Sequence, residues 1–215
     1  MRILRRFNIE NTENTQQHHR NFMLNDVFTA ATDTPATTSH SHTRAFTPLN
    51  IAVLTVSDTR TLENDTSGQS LVNLAAKAGH QCMAHQIVKD DIYQIRATVS
   101  GWIADPDIHA IISTGGTGFA GRDSTPEAIS VLFDKTIEGF GELFRATSYE
   151  EIGTSTIQSR ALAGLANHTV IFCLPGSTGA CRTGWRIIEP QLDATHRPCN
   201  FVAHLLPTTK CESRG

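Results

Sequence analysis

The 215-residue sequence predicts an α/β fold of parallel strands joined by crossover helices, on three observations. From Asn50 onward, short β-branched apolar runs alternate with amphipathic stretches, the pattern of strands buried on both faces with helices packed over them. The run Ile111-Ile112-Ser113-Thr114-Gly115-Gly116-Thr117-Gly118 leads from an apolar strand through a loop rich in glycine and hydroxyl groups to a helix start at Ser124-Thr125-Pro126. Hydrophobic residues make up 39% of the chain, enough for one core, so one domain plus a tail is expected.

The elements follow in order. Ile51 to Ser57 is a continuous apolar run and reads as a buried strand. Thr66 to Ala78 has helical spacing and closes at Gly79, with Asp65 placed to cap it. Gln81 to Val88 reads as the second strand and Asp91 to Ile103 as the second helix, with Asp90 a candidate cap. Ala110 to Ser113 is the third strand, and Pro126 to Phe133 the helix beyond the glycine loop. Gly139-Phe140-Gly141 is expected to interrupt the next segment, which resumes as helix over Glu142 to Ser148. Thr169 to Leu174 is the last strand, ended by Pro175-Gly176; a helix over Thr178 to Ile188 follows, ended by Pro190. Residues after Arg197 read as irregular.

Composition narrows the partners. The net charge of -3, with no cluster of basic residues, argues against nucleic acid. Five cysteines without a C-x-x-C pair argue against a disulfide framework or a zinc knuckle and favour a reducing cytoplasm. No apolar run is long enough to cross a bilayer, and the N-terminus lacks a secretory signal. Residues 1–48 are polar and threonine-rich and read as a disordered extension. Its arginines faintly suggest an organellar presequence, which Glu10, Glu13, Asp26 and Asp33 weaken; a start at Met23 is the alternative. His40 and His42 read as solvated side chains, because no third metal ligand lies near.

Ligands of parallel sheets bind beyond the carboxyl ends of the strands. Those ends carry Ser57-Asp58-Thr59, Lys89-Asp90-Asp91, Thr114 to Asp123, and Pro175-Gly176-Ser177-Thr178. Glycines let an anion approach the main chain, and helix-start amides favour negative charge. A carboxylate among them would repel phosphate unless it recruits a divalent cation, so Asp90 and Asp123 are read as sharing a magnesium ion. Gly116, Gly118 and Gly121 also match the dinucleotide fingerprint, but Arg122 to Thr125 separate them from the helix and the motif follows a third strand. Cys173, Cys181, Trp102 and Trp185 read as core, and Arg160 as either a phosphate contact or half of an ion pair.

Several ordered segments resemble the MogA/MoaB family of molybdenum cofactor biosynthesis proteins. They are Leu54 to Asp58, Ser113 to Gly118, Gly121 to Ala128, Glu138 to Glu142, Ser159 to Ala161 and Leu174 to Ser177. Phe144-Arg145, Glu150 to Thr156 and the stretch from Gly176 to Phe201 are more similar to the MoaB branch. The resemblance covers residues 49–201 and implies a three-layer sandwich around a mostly parallel central sheet, followed by an irregular tail over 202–215. It implies molybdopterin as ligand, Mg2+ and ATP as metal and co-substrate, and adenylylation with release of pyrophosphate. The family's essential acids fall on Asp90 and Asp123, with Asp91 the alternative register for the first. Implied substrate contacts are Ser57, Asp58, Asp65, Ser67, Gly68, Thr114, Gly115, Gly116, Thr117, Gly118, Pro175, Gly176, Ser177 and Thr178. The resemblance also implies a trimer or hexamer working with other cofactor-synthesis proteins. A non-catalytic pterin binder is the alternative.

Overall fold

A computed structural model describes residues 45–206, in which the β-branched runs pair into one six-stranded sheet of order β2-β1-β3-β6-β5-β4. The expectations for residues 1–44 and for 207–215 lie outside the described residues, His40 and His42 among them. The strands are β1 (Asn50–Val56), β2 (Gln81–Val88), β3 (Ala110–Thr114), β4 (Lys135–Thr136), β5 (Leu162–Ala166) and β6 (Thr169–Leu174). β1 pairs in parallel with β2 and β3, and β3 with β6; β5 runs antiparallel to both β6 and β4.

Period-two alternation within the central strands builds two cores. Ile51 and Val53 of β1, Ala110 and Ile112 of β3, and Val170, Phe172 and Leu174 of β6 face one side. There they meet α1 (Thr66–Lys77), α4 (Glu138–Ile152) and α5 (Thr178–Gln191) through Leu71, Phe144 and Trp185. Ala52, Leu54, Ile111, Ile171 and Cys173 face the other side, against Ile95 and Val99 of α2 (Ile92–Ala104) and Ala128 and Ile129 of α3 (Thr125–Ile129). The result is the expected three-layer α/β sandwich. Among the described residues no helix is long and apolar enough to cross a membrane.

Four sequence expectations change. Gly139 and Gly141 do not interrupt α4, which runs unbroken from Glu138. A Cβ on Gly141 would lie 2.7 Å from the Ala161 carbonyl, so this glycine permits a close approach rather than a break. Pro190 sits inside the last turn of α5 and removes one hydrogen bond without ending the helix at Ile188. The helix read as Pro126 to Phe133 ends at Ile129 and tightens into a 3-10 turn over Ser130–Leu132. After Arg197 the chain forms a short helix, α6 (Val202–Leu205), with Val202 and Leu205 in the core.

At the amino end of β1, two successive backbone amides are capped by imidazoles. The Leu49 N–H donates to Nδ1 of His80 (3.2 Å) and the Asn50 N–H to Nδ1 of His109 (2.9 Å). Accepting at Nδ1 requires a neutral ring that carries its one proton on Nε2. Burial lowers both imidazoles below their ordinary 6.5, against the raising influence of Glu189 and Asp193 on His80 and of Asp107 on His109. A lowered folded-state value means that the unfolded chain takes up protons first as pH falls through 6.5. The denaturation midpoint is therefore expected to be steady above pH 6.5 and to drop as pH falls below it, with His80→Gln and His109→Gln together flattening the drop. A wild-type midpoint constant from pH 7 down to about pH 5 contradicts neutral capping.

Candidate functional site

β1 has β2 on one side and β3 on the other, so the winding reverses there: β1 leads to α1 on one face and β3 to α3 on the other, which makes a topological switch point. The loops after β1, β2, β3 and β6 converge on that crevice. They bring together the strand-end clusters that the sequence places tens of residues apart.

The glycine loop after β3 is shaped by its first two residues. Gly115 and Gly116 have φ of +99° and +62°, conformations that side chains rarely adopt. A Cβ on Gly115 would lie 2.2 Å from the Val56 carbonyl oxygen, so the loop passes directly beneath the end of β1. The Gly115 N–H donates to the Leu174 carbonyl (3.1 Å), while Thr125 donates its N–H to Gly116 (2.9 Å) and its hydroxyl to Gly115 (2.8 Å). Beyond this anchored turn, the N–H groups of Gly116, Thr117, Gly118 and Phe119 donate to nothing among the described residues. Four successive amides without acceptors among the described residues are available to an anion, with Thr117 buried and Phe119 largely exposed.

Two carboxylates flank these amides. A Cβ on Gly116 would lie 2.6 Å from Oδ2 of Asp90, and one on Gly118 2.6 Å from Oδ2 of Asp123, so the glycines make room for both acids. Asp90 accepts from the Ser124 N–H (3.0 Å) and hydroxyl (2.6 Å) through Oδ1, and Asp123 accepts from the Ala120 N–H (2.8 Å) through Oδ2. Each acid keeps one oxygen, Oδ2 of Asp90 and Oδ1 of Asp123, with no hydrogen bond among the described residues. Asp91 caps α2 instead, accepting from the N–H groups of Tyr93 and Gln94, which corrects the reading of Asp90 as that cap. Asp58 accepts from the Asp90 N–H (3.4 Å) and from Arg122 (3.1 Å) at the rim.

Beneath the loops lies a saturated carboxylate. Asp65 caps α1 as expected, but its side chain is wholly enclosed and accepts from Thr55 (2.5 Å), Gly68 N–H (3.0 Å), His85 (3.0 Å) and Arg60 (3.2 Å). Burial pushes its carboxyl up, yet the donors from Thr55, Gly68, His85 and Arg60 outweigh that and hold it below the ordinary value of 3.8. Arg60 also reaches Ser67 (2.8 Å) and the Gly176 carbonyl (3.4 Å), which accepts from Ser67 as well (2.7 Å). Thr114 donates to the Pro175 carbonyl (3.0 Å). Asp65, Ser67 and Thr114 thus sit below the surface as supports, with Gly68 feeding an amide to the same carboxylate.

Ser57 accepts from the N–H groups of Thr59 and Arg60, holding the turn, and Ser177 caps α5 through the Ala180 N–H beside Thr178. Ser57, Asp58, Arg60, His85 and Lys89 line a cleft of about 390 Å³. Sequence reasoning missed Arg60 and His85; the signal for Arg60 was its place just past the Ser57-Asp58-Thr59 cluster. Cys173 and Cys181 are buried thiols pushed up to about 12 and about 11, mainly by desolvation, and Trp185 is core.

Comparison with known proteins bears on the family and the fold. A model of the family described as "Probable molybdopterin binding domain" matches residues 52–194. Molybdenum cofactor biosynthesis protein B of Escherichia coli (strain K12) is 58% identical over 161 residues, spanning 74% of this chain and 95% of that protein. Its Bacillus subtilis (strain 168) counterpart is 46% identical over 142 residues, spanning 65% and 84%. A crystal structure of molybdenum cofactor biosynthesis protein B superposes with a TM-score of 0.67 at 44% identity, covering 69% of this chain and 94% of that one. The tungsten cofactor synthesizing protein MoaB from Pyrococcus furiosus does so at 0.62 and 36%, covering 67% and 92%.

Asp65→Asn is expected to lower the unfolding free energy by about 2–3 kcal/mol at pH 7, because an amide cannot satisfy Arg60 and His85 as an anion does. Its folded value being lowered, the stabilisation is present above pH 3.8 and lost as pH falls further, so the variant should lose less than wild type in acid. Equal urea midpoints for the two proteins at pH 7 would rule out an anchoring role.

Proposed function

The chain belongs to the MogA/MoaB family of molybdenum cofactor biosynthesis proteins, and from that premise we propose that it binds molybdopterin and adenylylates it with Mg-ATP, releasing pyrophosphate. One observation carries the reading: among the described residues four successive amides, Gly116 to Phe119, have no acceptor, and the two carboxylates beside them each keep one oxygen without a hydrogen bond. A phosphate satisfies the amides, and a cation reconciles that phosphate with the acids.

The donor set suits magnesium. Among the described residues no cluster of three or more acidic, histidine or cysteine side chains forms a closed metal cage. Magnesium is commonly held by one or two carboxylates together with substrate phosphates and water, which is what Asp90 and Asp123 offer. When bound, the metal would neutralise charge building on the departing pyrophosphate.

In the proposed reaction a terminal phosphate oxygen of molybdopterin attacks the α-phosphorus of ATP. The bond from that phosphorus to the bridging oxygen breaks, and pyrophosphate leaves with the electron pair. The chain's own task is alignment: the Gly116 to Phe119 amides hold a phosphate group, and Ser124 orients Asp90. No protein nucleophile enters, consistent with the protonated, buried thiols of Cys173 and Cys181. The second reading, a pterin binder without catalysis, is favoured by the hydrogen bonds that give Asp90 and Asp123 structural roles independent of any metal. Exposed Leu143, Tyr149, Ile152 and Ile157 on and after α4 offer apolar area for the proposed homo-oligomer.

Purified protein supplied with molybdopterin, ATP and magnesium is expected to form adenylylated molybdopterin. Asp123→Asn should reduce the rate by about a hundredfold or more while pterin affinity is kept or improved. Wild type that binds the pterin and makes no product would establish the binder instead.

A further inference from the structure

Arg160 lies between the 3-10 helix Gly153–Gln158 and β5, far in sequence from the glycine loop, yet its guanidinium is given over to that loop. Nε donates to the Thr117 carbonyl (3.0 Å), while one terminal nitrogen donates to the carbonyls of Gly118 (2.5 Å) and Asp123 (3.1 Å). The other terminal nitrogen pairs with Glu127, and the guanidinium carbon sits 5.1 Å from the Phe119 ring centroid. The ion pair expected of Arg160 is present, with Glu127, but most of the fork is engaged by main-chain carbonyls of the glycine loop.

The consequence follows from peptide geometry. In a trans peptide the carbonyl and the next residue's N–H point in opposite directions. Drawing the Thr117 and Gly118 carbonyls toward Arg160 turns the Gly118 and Phe119 N–H groups the other way, and these are two of the four unpaired amides. The same holds at the acid pair: the Asp123 carbonyl faces Arg160, and the N–H at the far end of that peptide, on Ser124, donates to Asp90 (3.0 Å). A positive charge behind three peptides also polarises their amides toward an anion in front.

We infer that Arg160 is a positioning residue: by clamping three carbonyls from behind, it aims the Gly118 and Phe119 amides at a phosphate group and holds the peptide that seats Asp90. This rests on the anion-site reading of the glycine loop proposed above. Lysine cannot replace it, because a compact ammonium lacks the planar fork that spans three acceptors.

Inorganic pyrophosphate, with and without magnesium, is the probe. Isothermal titration on wild type, Arg160→Ala and Arg160→Lys is expected to show at least about tenfold weaker binding in both variants, charge conservation notwithstanding. Millimolar guanidinium chloride should restore binding to Arg160→Ala and leave Arg160→Lys unrescued. In 15N-labelled protein, the Gly118 and Phe119 amide resonances should shift with pyrophosphate in wild type and stay still in Arg160→Ala. If Arg160→Ala does not fold, Arg160→Lys decides the matter by the same titration. Wild type that binds pyrophosphate, with variants that bind equally well, overturns the positioning role alone. Wild type that binds no pyrophosphate at millimolar concentration overturns the anion site and the positioning role together.

Discussion

The loop after β3 passes so close under the end of β1 that a single methyl group at Gly115 would collide with the Val56 carbonyl. This passage welds the two strands that border the switch point, and it requires the left-handed turn at Gly115 and Gly116. Everything chemical about the site descends from it. The turn hands its carbonyls to Thr125 and leaves the next amides without partners among the described residues, and the absent side chains at Gly116 and Gly118 admit Asp90 and Asp123. A side chain at any of these positions would close the space the site needs.

The acids of the site differ in how fully the fold satisfies them. Asp65 is enclosed and saturated by four donors, so its charge anchors α1, β1 and β2 and, through Arg60, the loop after β6. Asp90 and Asp123 are only partly buried, and each keeps one oxygen without a hydrogen bond among the described residues. The first kind of carboxylate adds stability because its partners are supplied within the fold; the second kind leaves coordination capacity for a ligand. At the opposite ends of the strands, His80 and His109 close the amino terminus of β1 with neutral rings. The sheet is thus sealed at one end and open at the other.

Much of this was legible before any coordinates. Strands buried on both faces, such as Ile51 to Ser57 and Thr169 to Leu174, announce themselves as continuous β-branched runs, and the strand-end clusters could be gathered by the rule for parallel sheets. β5 was missed because Leu162-Ala163-Gly164-Leu165-Ala166 has little β propensity; its pairing with β6 across the Asn167 turn decides it. β4 is two residues long and leaves no periodic signal. Spacing could not tell which of Asp90 and Asp91 caps α2; the structure gives the cap to Asp91. Arg160 was visible as a residue but not as a clamp, since its acceptors are main-chain carbonyls about forty positions away that carry no side-chain signature.

The central claim is that unpaired main-chain amides and two half-free acids form one phosphate and metal site at the switch point. A crystal structure of the protein with molybdopterin, magnesium and a non-hydrolysable ATP analogue tests it most directly. The account requires a phosphate oxygen within hydrogen-bond distance of the Gly118 and Phe119 amides, and a magnesium ion touching Oδ2 of Asp90 and Oδ1 of Asp123. Phosphates seated elsewhere, with those amides and oxygens facing only water, would contradict it.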